Sequence, residues 1–221
     1  MEALLIIKLL HVICFVYWLG GDLGTFYASK FVAKPELGIE ARSTALTIMM
    51  GCDQAPRFSM PLIFPLGLEL AVHMGFVNLS MAWLGIMWLV CFLWLAIVVI
   101  LHFAHGKAFI PKLTTFDFYL RIIVILTLLG FGFYALQSDV FVADSWAAYK
   151  IIIFALLVGC GLFIRVGLKP FIVAWGQLMS DGPSDDINGA ITKSLKNVKP
   201  FVYAIWVGLF TNAALGLHLI G

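Results

Sequence analysis

Charge is what this chain has least of. Of its 221 residues 12% are Asp, Glu, Lys or Arg and 62% are hydrophobic, with a mean hydropathy of +1.03. So few charged side chains cannot cover a globular protein in water, which excludes a soluble enzyme and leaves lipid as the solvent. The net charge of +2 is too small, and its cations too dispersed, for a nucleic-acid-binding surface. Cysteine is scarce too. Cys14, Cys52, Cys91 and Cys160 form neither a CxxC pair nor a Cys/His spacing, which argues against a zinc site and a disulfide framework. No internal repeat or low-complexity tract points to two fused halves. The first apolar run holds Lys8 and His11 and ends at Gly20-Gly21-Asp22 with no small-residue cleavage site, so it reads as a retained helix rather than a signal peptide.

What is present is a series of long apolar runs, at 3–20, 57–76, 81–104, 118–137, 146–167 and 200–220. About 20 apolar residues cross a bilayer as a helix. The expectation is therefore a single all-α domain over 1–221, a bundle of six transmembrane helices. Residues 41–50 are expected to form an interfacial helix. The Ser180-Asp181-Gly182-Pro183-Ser184 stretch should break the chain, with Asp185 and Asp186 complementing the start of a new helix. Lys and Arg gather in the first, third and fifth connections, while the 77–80 and 138–145 loops have none. By the charge asymmetry of short loops, both termini should face the periplasm from a bacterial inner membrane.

Ionisable groups inside spanning helices cost several kcal/mol unless they are paired or face a cavity, so each is a functional candidate. Lys8 and His11 on the first run, Glu69 and His73 on the second, Lys150 on the fifth and His218 on the sixth fall at similar depths, roughly 5–12 Å below the outer surface at about 1.5 Å of rise per residue. His11 shares a helix face with Phe15, Trp18 and Asp22, and Glu69 and His73 are four residues apart and point the same way. One polar pocket is the economical reading. Opposed histidines on neighbouring helices can hold a haem iron, and lysines a turn away can pair with its propionates. A lone membrane histidine is by default a helix-to-helix hydrogen-bond partner; His11 departs from that default because of its company. His218 stands near the chain end and close to water, and keeps that default. His102 and His105, beside Lys107, read as solvated interface residues with a second haem site as the alternative. Asp22, Asp53, Arg57, Asp117, Arg121 and Arg165 form a second polar set at the opposite side, where Arg57 is expected to pair with Asp22 or Asp53. Pro61 and Pro65 should kink the second helix beside Glu69.

The segment from Leu10 and His11 through Cys14, Phe15, Trp18 and Gly20-Gly21 resembles the opening helix of two related families, the copper-resistance D membrane proteins and the HemJ-type protoporphyrinogen oxidases. Arg57-Phe58-Ser59, Trp146 followed by Lys150, and Arg165 look similar to the same superfamily. The resemblance implies haem b at His11 and a functional role for Lys150 in one family, and copper passage in the other. The chain departs from both: six helices are expected where the HemJ type is shorter, and the Met-rich or His-rich segments of copper capture are lacking.

The expected function is a haem b-binding membrane redox protein, for electron transfer or porphyrinogen-type oxidation. His11 and His73 are the expected iron ligands, with Lys8 and Trp146 also at the cofactor and Glu69, Lys150 and Arg57 in chemical roles. Besides the bilayer, a quinone, a redox partner protein or a second copy of the chain is an expected partner. A copper or small-solute transporter and a structural anchor subunit are the alternatives.

Overall fold

The computed structural model describes residues 2–104, 106–138 and 145–220. His105, the other half of the second-haem alternative, and most of the 138–145 loop lie outside them. The described residues form eight helices and no strand: α1 (Glu2–Val32), α2 (Ile39–Cys52), α3 (Gln54–His73), α4 (Met81–Phe103), α5 (Ile110–Gln137), α6 (Ser145–Gly167), α7 (Lys169–Asp181) and α8 (Asp185–Gly216). Five stretches are long and apolar enough to cross a membrane: α1, α4, α5, the α6–α7 run and α8. The sixth expected span, α3, has 20 residues but is not among these five. It lies between α1 and α4 with Pro56, Met60, Ile63, Leu66 and Leu68 buried, and stays helical through Pro61 and Pro65.

Helix boundaries depart from the apolar runs for a physical reason. Hydropathy marks the segment that lipid can surround, whereas a helix continues until its backbone is interrupted. α1 runs on to Val32, three residues before Pro35, and at about 1.5 Å per residue its 31 residues exceed a hydrocarbon core of about 30 Å. α5 starts at Ile110 with Pro111 in its first turn, and α8 starts at Asp185 rather than near residue 200, passing through Pro200. The Ser184 hydroxyl accepts from the Ile187 N–H, so the helix start signalled by Asp185 and Asp186 is the one found.

The overhanging helix ends build a second small core. Ala28 and Val32 of α1, Ala45 and Met49 of α2, Phe171, Ala174 and Leu178 of α7, and Ile191 and Leu195 of α8 pack into one cluster. The segment expected to be interfacial, α2, is thus one wall of a four-helix cap. Arg42 is sealed within it at 1% exposure. Its Nε donates to the Val32 carbonyl at the end of α1 (3.0 Å), its Nη1 donates to Asn188 Oδ1 of α8 (2.9 Å), and its guanidinium stands 5.8 Å from the Trp175 ring centre. A cation on the terminal carbonyl of a helix satisfies an orphan acceptor and complements the helix dipole. R42M keeps the aliphatic stem but strips both acceptors of a charged donor, and is expected to lower stability by about 2 kcal/mol; thermal unfolding, with limited proteolysis showing earlier cleavage around α7, measures it.

The main core lies inside the bundle, where Trp18, Met60, Trp94, Phe154, Val158 and Leu209 meet. α1 and α3 approach each other closely. A Cβ at Gly21 would stand 2.7 Å from the Cys52 carbonyl oxygen and 2.8 Å from Ala55 Cβ, contacts that only glycine avoids.

Candidate functional site

His11 faces α3. Its Nδ1 lies 2.9 Å from the Ile63 carbonyl oxygen, and a carbonyl can only accept. The proton therefore sits on Nδ1 and the lone pair on Nε2, the tautomer a histidine adopts when it ligates a metal through Nε2 while a backbone oxygen orients the ring. Space for the ring comes from Gly67: a Cβ there would stand 2.7 Å from His11 Cε1. This glycine carries no sequence signal, because its purpose appears only when α1 lies across it.

Lys150 belongs to α6. Its Nζ rests against Gly216 of α8, where a Cβ would approach to 2.7 Å, and stands 5.6 Å from the Trp146 ring centre one turn back. Asn212 of α8 donates to the Lys150 carbonyl at 3.5 Å. The Trp146 ring is edge-on to His218 (4.9 Å between centres) and to Phe76 (4.9 Å). Two polar atoms here are buried without a partner among the described residues, the indole Nε1 of Trp146 and Oδ1 of Asn212. Four of the expected residues, His11, Trp146, Lys150 and His218, are thereby brought to one end of the bundle by α1, α6 and the end of α8. Gly67, Asn212 and Gly216 are additions that the sequence did not single out.

His218 has an unusual backbone. It is the single described non-glycine residue with positive φ, at 54°. Its N–H donates to the Leu215 carbonyl and the Leu219 N–H donates to Ala214, the two hydrogen bonds of a Schellman cap ending α8. Glycine is the usual occupant of that position; a side chain there costs about 1 kcal/mol.

The other expected residues point elsewhere. Glu69 Oε2 accepts from the Trp88 indole of α4 at 2.7 Å. Two residues advance a helix by about 200°, so Glu69 and Gly67 lie on opposite faces of α3. His73 shares the Glu69 face, is exposed, and returns its Nδ1 to the Glu69 carbonyl at 2.9 Å. The structure therefore does not place His73 across from His11. Lys8 is on the exposed side of α1. Arg57, with a side chain 48% exposed, pairs with Asp53 rather than Asp22, Nε to Oδ2 at 2.6 Å. Asp22 lies near Asp53, with Oδ2 buried and unpartnered among the described residues.

The second polar set contains a buried ion triad. Asp117 of α5 is 1% exposed, and its Oδ2 accepts from Arg121 Nε at 3.1 Å and from Arg165 Nη1 of α6 at 2.7 Å. Arg121 also donates to Met60 Sδ of α3 at 3.4 Å and lies 5.2 Å from the Trp94 ring centre of α4. One carboxylate thus ties α5 to α6 while its arginine partner reaches α3 and α4.

Among the described residues no group of three or more His, Cys, Asp or Glu side chains is arranged to hold a metal ion. No family model matches the chain, and no curated protein or solved structure is similar to it.

Proposed function

We propose that this chain is an integral membrane protein that binds haem b through His11 and uses it for electron transfer or for oxidation of a porphyrinogen-type substrate. The observation that carries the reading is the His11–Ile63 hydrogen bond, which leaves Nε2 as a free ligand on a ring oriented by α3 and accommodated by Gly67. Two further groups support the reading. Lys150 offers a cation, and the unpartnered Trp146 indole a donor, for carboxylates such as the propionates. When bound, haem supplies the one-electron redox change; the chain orients the ligand and excludes water. In this reading α3 is a sixth, protein-enclosed crossing, and the lysine- and arginine-rich connections face the cytoplasm, leaving both termini outside.

The test is the absorption spectrum of protein purified after haem supplementation. A Soret band with haem near one equivalent per chain is expected; its absence defeats the proposal. G67L, which puts a side chain where the His11 ring lies, is expected to lose most of that haem while the helical content measured by circular dichroism stays unchanged.

A second reading is favoured by the same hydrogen bond. Between two membrane helices, an imidazole bonded to a carbonyl is itself a packing device, as an anchor subunit requires. It predicts that His11 substitutions alter stability with no cofactor to lose.

A further inference from the structure

We propose that the pocket between the end of α1 and the first turns of α8 binds the phosphate of an anionic phospholipid headgroup. The proposal goes beyond the haem reading and does not depend on it, because the pocket lies roughly 30 Å along α1 from His11 at about 1.5 Å of rise per residue. Its volume is about 510 Å³, and its walls are the turn at Pro35 and one face of α8, where Asp185, Asn188, Thr192 and Lys196 recur every three or four residues beside Gly189 and Lys193. The backbone acceptors at its edge are already spent. The Val32 carbonyl takes the Arg42 Nε, and the Ala33 carbonyl takes the Thr192 hydroxyl at 3.4 Å. Donors are what remain for an occupant. Asn188 uses Oδ1 to accept from Arg42 Nη1 at 2.9 Å and keeps its amide nitrogen, while Lys193 and Lys196 are exposed and form no ion pair among the described residues. Behind Asn188 the Arg42 guanidinium is 1% exposed, touches only neutral acceptors, and has Nη2 without a partner among the described residues. Three cations therefore surround one carboxylate, Asp185, and the site is electropositive.

Depth points to a lipid as the source of the phosphate. The last apolar run begins at residue 200, so Lys196 and Lys193 stand roughly 6–10 Å beyond the start of the hydrocarbon, at the headgroup layer or within a lysine stem's reach of it. A phosphodiester seated there keeps its acyl chains in the bilayer while its oxygens accept from two ammonium groups and the Asn188 amide.

Gly189→Leu is the decisive variant, because it fills the pocket without changing its charge. A Cβ at Gly189 meets nothing within 4 Å, and leucine suits an exposed helix position better than glycine, so the fold is kept. The full chain, delipidated in detergent, is titrated with phosphatidylglycerol, and bound lipid is counted by native mass spectrometry. The wild type is expected to bind one lipid saturably, and G189L and the double variant K193Q/K196Q are each expected to weaken that binding about tenfold. K107Q/K112Q, which removes two exposed lysines at the α4–α5 connection, is expected to leave it unchanged. Phosphatidylcholine is expected to bind about tenfold more weakly than phosphatidylglycerol, since its headgroup carries its own cation. Wild-type affinity in G189L or in K193Q/K196Q overturns the proposal. So does an equal loss in K107Q/K112Q, because general surface charge would then account for the binding. Inorganic phosphate that binds as tightly as the lipid overturns the lipid source in favour of a free phosphate. Haem content is expected to be the same in all these variants, so the failure of either reading leaves the other standing.

Discussion

Purified H11A is expected to contain no haem, and H73A to keep the wild-type amount. This is the largest functional effect anticipated, because removing the ligand with the oriented lone pair leaves nothing at that point to hold iron, whereas the His73 ring is spent on its own helix. His11→Asn separates the haem reading from the packing reading. An asparagine amide nitrogen can stand near the position of Nδ1 and still donate to the Ile63 carbonyl, yet the amide is no haem ligand. Under the haem reading H11N is as haem-free as H11A. Under the packing reading H11N restores the thermal stability lost in H11A, and the wild type shows no Soret band to begin with.

Asp117→Ala is expected to cause the largest loss of stability, about 3–5 kcal/mol, the usual penalty when one member of a buried ion pair is removed and its partner charge stays behind. Two guanidinium groups lose their shared acceptor at once, and Arg121, its side chain 11% exposed, cannot reach water to compensate. Arg121→Met should cost less, because the methionine can fill the space against Met60 and Trp94 while Asp117 keeps Arg165. Arg165→Gln should cost least, since its side chain is 31% exposed and solvent screening weakens its share of the triad. Unfolding of the three variants in one detergent gives the ranking. Equal losses, or Asp117→Ala within about 0.5 kcal/mol of wild type, would show that the triad does not hold α5 to α6.

Arg42 shows how the same residue type can be read two ways. In sequence it is one of the cations that mark the first connection. In the structure it is an interior group that closes α1 and fastens it to α8, and nothing in its neighbours along the chain distinguishes it from Lys34, which is exposed. Gly67 and Gly216 are similar: their value lies in what comes to rest on them, His11 in one case and the Lys150 ammonium in the other.

The amino-acid sequence by itself determined that the fold is helical and where α8 begins, and it marked the five stretches that are long and apolar enough to cross a bilayer, though it also counted the 57–76 run, which is α3 and not one of them. These follow from composition, from rise per residue and from capping chemistry, all of which are local. It also related residues within a helix correctly: Glu69 and His73 do share a face. Only the tertiary structure decided which way that face turns. Periodicity fixes the angles between residues on one helix, but a helix that is apolar nearly all round carries no signal for its rotation against its neighbours. In α3 that rotation presents Gly67 to His11 and sends Glu69 to Trp88, so His73, on the Glu69 face, points away from His11.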